Sequence, residues 1–390
     1  QVEQHIAVPN TAGADMLLRI RPTLATAQFV LGHVIEPDLA ARIGLGFFQI
    51  TELAAQADTA PGVDVGGQGG VAVGCQIEVI RLDVGDAVGG VDYFTHCSNN
   101  GTHDLYLNED EHAESGYLTD LLSHKAVDYV RHMAGPSGQG RPFFLSLHYT
   151  APHWPWESRD DAEVAQEVKD HLFHLHGGNI ETYRRMIHHM DEGIGWLMQA
   201  LRETGQFENT LLVFTSDNGG ERFSDNWPLV GGKMDLTEGG IRVPWIAHWP
   251  AVIAPGSVSA QHCLTMDWSA TLLALGQAQA QPEYPLDGVS LEAILRKPQA
   301  VFERPMFWRM NHRGQRAMRL GSWKYLRVDG NDYLFNIEAD ARERANLGAR
   351  HPEQMQAMRD AWETWDAGMP AIASDATVSL GYSAKDMPQR

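Results

Sequence analysis

Three segments of this chain can only be reconciled on one framework. Residues 142–149 (PFFLSLHY) and 210–215 (TLLVFT) are short apolar runs, each bounded by turn-forming residues. Runs of that length read as strands buried on both faces rather than as helices. Between them, Tyr183, Met186, Ile187, Met190, Ile194, Leu197, Met198 and Leu201 recur every three or four residues. That spacing predicts an amphipathic helix of about five turns, with Gly205 standing where a C-terminal cap belongs. Strand, long helix, strand is the signature of an α/β fold with a large, mostly parallel sheet between helices. Residues 117–132 carry apolar positions at helical spacing as well. Near the end, residues 323–328 and 333–337 alternate and are joined by Asp329-Gly330-Asn331-Asp332, which predicts a hairpin. A final helix is expected over 352–369. The tail therefore reads as a smaller α+β domain with an antiparallel sheet.

The 390 residues are 43% hydrophobic and 21% charged, enough apolar material for a sizeable core. The formal charge is −20, which argues against nucleic acid and against anionic membrane surfaces as partners. An acidic protein can still bind an anion, but only in a locally cationic pocket. No run approaches the ~18 apolar residues of a membrane span; the best candidate, 243–255, is cut by His248, Pro250 and Pro255. The three cysteines, Cys75, Cys97 and Cys263, exclude a disulfide scaffold and show no metal-binding spacing. No signal segment is visible from Gln1, so the compartment stays open between periplasm or exterior and cytoplasm, as does the oligomeric state.

The opening is different in kind. Residues 1–90 contain no Lys, Trp or Tyr, whereas the chain holds 11 Trp and 10 Tyr. Their only cations are Arg19, Arg21, Arg42 and Arg81, and a glycine-rich stretch runs over residues 62–70. Two readings stand: a small Ala/Gly-rich subdomain, or a segment joined to the rest of the chain by fusion or a disrupted reading frame. The expected organisation is thus an atypical segment over 1–90, an α/β domain over 91–300 and an α+β subdomain over 301–390.

Ligands of α/β sheets collect beyond the carboxyl ends of the strands. The first strand runs into Thr150-Ala-Pro-His153-Trp-Pro-Trp156, the second into Ser216-Asp217-Asn218-Gly219-Gly220. A carboxylate beside a carboxamide offers hard oxygen ligands for Ca²⁺ or Mg²⁺; the plainer alternative is a tight turn. Lys233 follows in Gly231-Gly-Lys233, but Met234 occupies the place where a phosphate-binding P-loop needs Ser or Thr, so a P-loop is rejected. A lysine there can still act as a point charge on an oxyanion. His153, hemmed by Pro152 and Trp154-Pro155, is suited to general-acid work. Trp154 and Trp156 read equally as a sugar platform and as core.

In order, these segments and Thr237-Glu-Gly-Gly-Ile-Arg242-Val-Pro244 resemble the type I sulfatases, the formylglycine-dependent arylsulfatase family within the alkaline-phosphatase-like superfamily. The resemblance runs over roughly residues 90–369. Thr265-Met-Asp-Trp-Ser-Ala-Thr-Leu-Leu273, Leu286-Asp-Gly-Val-Ser-Leu291, Arg319-Leu-Gly-Ser-Trp-Lys-Tyr325 and Tyr333-Leu-Phe-Asn-Ile337, with Asn346-Leu347, support it. It implies a sulfuric ester hydrolase acting on an aryl or carbohydrate sulfate. Asp217 and Asn218 would form half of a Ca²⁺ shell, Lys233 would bind the sulfate, and His153 would serve the leaving oxygen.

The family's front half does not match. Its nucleophile arises from Cys or Ser in a Cys/Ser-x-Pro-x-Arg motif, and none of Cys75, Cys97 and Cys263, nor any serine, stands in one. The paired aspartates that complete the metal shell are absent too, Asp160-Asp161 following Ser158-Arg159 rather than a strand. Without the aldehyde hydrate no covalent sulfate ester forms, so reduced or no turnover is expected of this polypeptide. The alternatives are a sulfatase-like pseudoenzyme that binds sulfated ligands and a phosphodiesterase or phosphonate hydrolase of the same superfamily.

Overall fold

The computed structural model describes residues 27–33, 82–83, 90–98, 101–108, 110–136, 142–168, 178–278, 280, 282 and 284–372. Most of the 1–90 segment, and so its two readings, lies outside the described residues. Strand β1 (Ala27–His33) is followed by helix α1 (Leu118–Ala134), strand β2 (Phe144–Tyr149), helix α2 (Ile180–Glu203), strand β3 (Thr210–Ser216) and strand β4 (Trp245–His248). The four strands form one sheet in the order β2-β1-β3-β4.

The α2 helix starts on Asn179, whose side-chain oxygen accepts from the amides of Glu181 (2.8 Å) and Thr182 (3.0 Å). It stops where Gly205 takes a φ of +73°, a left-handed conformation that glycine adopts without steric cost. Its expected apolar face is buried against α1 and the sheet, Met186, Met190 and Leu197 completely so. Every residue of β3 is buried, as a short apolar run flanked on both faces requires, whereas β2 departs from that expectation: only Leu147 and Tyr149 are buried, and Phe144 and His148 are exposed.

The polarity of the sheet departs from expectation. Each adjacent pairing in it is antiparallel, whereas strand–helix–strand predicts a mostly parallel sheet. Strands β2 and β3 do run in the same direction, as that pattern demands, but β1 lies between them and runs the opposite way. Apolar runs report burial on both faces and carry no information about the direction of a neighbour. One consequence of this register fixes the site. Ala27 pairs with Tyr149 on one side and Ser216 on the other, so β2 and β3 end level with each other at one edge. The two loops singled out in the sequence therefore leave the sheet side by side.

The C-terminal part is an antiparallel meander of β5 (Met306–Met310), β6 (Gln315–Leu320), β7 (Trp323–Val328) and β8 (Asn331–Asn336), covered by helix α3 (Pro352–Asp366). The hairpin turn is tighter than the sequence indicates, because Asn331 already pairs with Val328 and only Asp329 and Gly330 remain in the loop, both at positive φ. Met358 and Trp362 of α3 are buried on Met318, Tyr325 and Leu334. Among the described residues no helix is long and apolar enough to cross a membrane.

Candidate anion-binding site

At the end of β2 the chain turns, the amide of His153 donating to the carbonyl of Thr150 (2.9 Å). This buries His153 against the ring of Trp154, with centroids 4.6 Å apart. Tyr93 fixes the turn from behind, its hydroxyl donating to the His153 carbonyl at 2.9 Å. His153 Nδ1 lies 2.8 Å from the Trp154 carbonyl and Nε2 lies 2.6 Å from Lys233 Nζ. A carbonyl can only accept, so Nδ1 carries the hydrogen, and Nε2 is then the acceptor for the Lys233 ammonium.

Lys233 arrives from the opposite loop. Its amide donates to the Gly220 carbonyl (3.1 Å), and the Gly219 amide donates to the Gly240 carbonyl (2.8 Å), so the Ser-Asp-Asn-Gly-Gly segment is laced to both the Gly-Gly-Lys and the Glu-Gly-Gly-Ile segments. Gly219 is required here, since a Cβ would meet the Gly239 carbonyl oxygen at 1.8 Å. Lys233 also pairs with Glu221, Nζ to Oε2 3.4 Å. The other Glu221 oxygen is buried with no hydrogen-bond partner among the described residues.

Asp217 and Asn218 sit where β3 ends. Asp217 Oδ1 accepts from the Asn218 amide (2.9 Å) and faces the Ser216 hydroxyl (3.4 Å). Asn218 donates its side-chain nitrogen to the Gly219 carbonyl (3.1 Å), which leaves its amide oxygen as an acceptor. Although Asp217 is exposed on one side, desolvation by the surrounding protein raises its pKa, outweighing the Asn218 amide and Lys233, which lower it. A carboxylate beside an amide oxygen offers the hard oxygen donors that a divalent cation such as Ca²⁺ takes. Two donors do not close a shell, and among the described residues no group of three His, Cys, Asp or Glu could hold a metal.

The structure thus brings His153 and Lys233 into contact and sets Asp217 within the electrostatic reach of Lys233. Trp154 and Trp156 belong to the core rather than to an open platform; Arg222 lies 5.5 Å over the Trp156 ring. Cys97 and Cys263 are free thiols, burial pushing Cys263 up to about 11, while Cys75 lies outside the described residues. Glu221 and Tyr93 were not singled out in the sequence. Glu221 had a signal, following directly on the strand-end motif, whereas Tyr93 had none.

The sheet thus delivers a lysine, a histidine and an oxygen-donor pair to one edge, the kinds of group that the chemistry of tetrahedral anions calls for. Comparison narrows the class: residues 81–278 match the Sulfatase family model, so the chain belongs to the sulfatase family. It is similar to arylsulfatase J of Mus musculus, 26% identical over 328 residues, which cover 69% of this chain and 53% of that protein. N-acetylgalactosamine-6-sulfatase of Mus musculus is 32% identical over 216 residues, 53% of this chain and 38% of its own. Among solved structures, Ps i-CgsB in complex with k-i-k-neocarrahexaose matches with a TM-score of 0.58 at 31% identity, over 67% of this chain and 57% of that one. The match supports the alkaline-phosphatase-like α/β fold expected from the sequence. The chain spans about half the length of the curated relatives it matches.

Proposed function

We propose that the pocket of Lys233, His153, Asp217 and Asn218 takes the sulfate group of a sulfate ester, with a carbohydrate sulfate as the favoured substrate class and an aryl sulfate as the simplest analogue. The observation that carries this reading is the 2.6 Å contact of Lys233 Nζ with His153 Nε2. An ammonium has three hydrogens to donate. One goes to His153 and one faces Glu221, leaving the third for a sulfate oxygen. Positive charge fixed there meets the charge that builds on the ester as the S–O bond breaks. With Nε2 protonated from solvent, His153 can give that proton to the departing oxygen, which then leaves as a neutral alcohol or phenol while water takes the sulfuryl group and Lys233 keeps its charge. The Tyr93 hydroxyl and the Trp154 carbonyl hold the histidine backbone and ring for that transfer. A divalent cation on the Asp217 carboxylate and the Asn218 amide oxygen, Ca²⁺ or its smaller analogue Mg²⁺, would supply further positive charge to the sulfate, with its other donors coming from water or from outside the described residues.

Carbohydrate sulfates are favoured because the 32% identical relative is named for a sulfated amino sugar and the 31% identical structure holds a neocarrahexaose. No cysteine or serine of the 390 residues stands in the nucleophile motif. This polypeptide is therefore read as recognising the ester with greatly reduced turnover. Calorimetric titration with inorganic sulfate, and hydrolysis of 4-nitrophenyl sulfate, test both halves. Saturable sulfate binding that Lys233→Met abolishes, with hydrolysis near background, is the expected result. Equal binding by the Lys233→Met protein rules out the pocket; brisk hydrolysis by the unaltered chain rules out the reduced turnover.

A further inference from the structure

Met234, immediately after Lys233, has a φ of +76°. A left-handed backbone at a long, non-glycine side chain is uncommon, and it persists only where the surroundings over-determine it. Two things hold it here: the Asp235 amide closes a turn onto the Gly232 carbonyl at 2.9 Å, and one side chain of the C-terminal sheet grips that turn from outside. Gln315, the first residue of β6, is buried. Its Nε2 donates to the Met234 carbonyl at 2.8 Å, and its Oε1 accepts from the Leu236 amide at 2.9 Å. One carboxamide thus grips the turn on both sides of Asp235. A further contact of Nε2, to the His312 carbonyl at 3.1 Å, ties the same amide to its own sheet and fixes which way it faces. Upstream, the Lys233 amide is held by the Gly220 carbonyl. Lys233 consequently stands between two anchors, one on the β3 loop and one on the meander, and its side chain is delivered to His153.

We propose that Gln315 is a positioning residue for Lys233: by holding Met234 in its left-handed turn, it makes the C-terminal sheet a working part of the sulfate pocket. This rests on the sulfate reading of that pocket. The strain and the clamp are separable by mutation, because glycine adopts the Met234 conformation freely. In the full chain, Gln315→Ala should weaken inorganic sulfate binding by about tenfold, the effect of losing roughly one good hydrogen bond. The double variant Gln315→Ala/Met234→Gly should recover most of that affinity. A merely structural glutamine would lower the melting temperature in both variants and leave sulfate affinity alike in both. Wild-type affinity in a folded Gln315→Ala protein, or failure of Met234→Gly to restore it, overturns the proposal. Should the alanine variant not fold, Gln315→Glu, which keeps the acceptor for Leu236 but loses the donor to Met234, carries the same expectation. Absence of sulfate binding in the unaltered chain would sink the pocket itself. Positioning is then decided by crystal structures, in which Lys233 Nζ must leave His153 Nε2 in Gln315→Ala and return in the double variant.

Discussion

Lys324 and Glu238 meet out of reach of water, Nζ 3.0 Å from Oε1, where β7 packs under the short helix Glu238–Ile241. Glu343 closes the cluster, its Oε1 2.9 Å from Lys324 Nζ and its Oε2 accepting from the Glu238 amide at 2.7 Å. Burial works against the ionised Glu238, but Lys324 and Arg319 outweigh it and hold its pKa below the ordinary value. Lys324 is thus the cation that both buried carboxylates share, with Arg319 a second partner of Glu238 at 3.4 Å. Lys324→Met keeps the volume and removes that charge, and should cost about 3–5 kcal/mol because it strands Glu343 and leaves Glu238 to Arg319. Urea denaturation reads this directly; a loss below ~1 kcal/mol would mean that water reaches the cluster.

A second buried acid should make stability depend on pH. Glu157 is raised from 4.5 to about 8, by burial first and then by the neighbouring Asp92. Glu157 Oε2 accepts from the Tyr93 amide (3.2 Å), while Oε1 and Asp92 Oδ2 are buried with no hydrogen-bond partner among the described residues. Between pH 4.5 and about 8 the folded protein keeps a proton that the unfolded chain has released. Stability must then fall as the pH rises through that window, by up to about 1.4 kcal/mol per pH unit from this group. Glu157→Gln should flatten the decline. Denaturation midpoints at pH 5, 6.5 and 8 decide it, and an unchanged slope in the variant assigns the dependence to other groups.

How much of this molecule is legible in its sequence depends on which interactions leave a periodic trace. Strands β2 and β3 and helix α2 are readable because burial writes itself as apolar runs and three-or-four spacing. The placement of His153, Lys233 and Asp217 at one edge of the sheet is readable because each comes after a strand or glycine turn in a recognisable order. The direction of β1 is not, since pairing polarity leaves no mark on either partner. Nor are Tyr93 and Gln315, which act through hydrogen bonds to backbone atoms 60 and about 80 residues away. Such contacts depend on where a loop closes in space, and the backbone they recognise is the same at every residue.

Asp217 and Asn218 should tie the pocket's stability to a hard cation. A ligand bound only by the folded state stabilises it by about 2.7 kcal/mol at a hundred times its dissociation constant. Calcium should therefore raise the melting temperature of the unaltered chain in a saturable way. Asp217→Asn removes the carboxylate and its charge while keeping the shape, and should abolish the shift. If calcium leaves the unaltered protein's melting curve where it was, the strand-end pair is a turn and not a ligand set.

Glu221 sets the last expectation, because it stands where an incoming anion must approach. Its Oε2 lies 3.4 Å from Lys233 Nζ, so the lysine that would bind the anion already faces a carboxylate. With Asp217 also within its electrostatic reach, Lys233 acts against two carboxylates when no metal is bound. At 4 Å a unit charge contributes about 1 kcal/mol even in a water-like dielectric, and more where water is thinned. Glu221→Gln keeps an oxygen for the lysine while removing the competing charge, so inorganic sulfate should bind at least about fivefold more tightly to this variant without added metal. The gain should shrink as sodium chloride is raised, because screening weakens the repulsion that the substitution relieves. Titration of both proteins with sulfate at low and high salt tests the two halves together. Weaker binding by Glu221→Gln would show instead that the carboxylate helps to hold Lys233 in place for the anion.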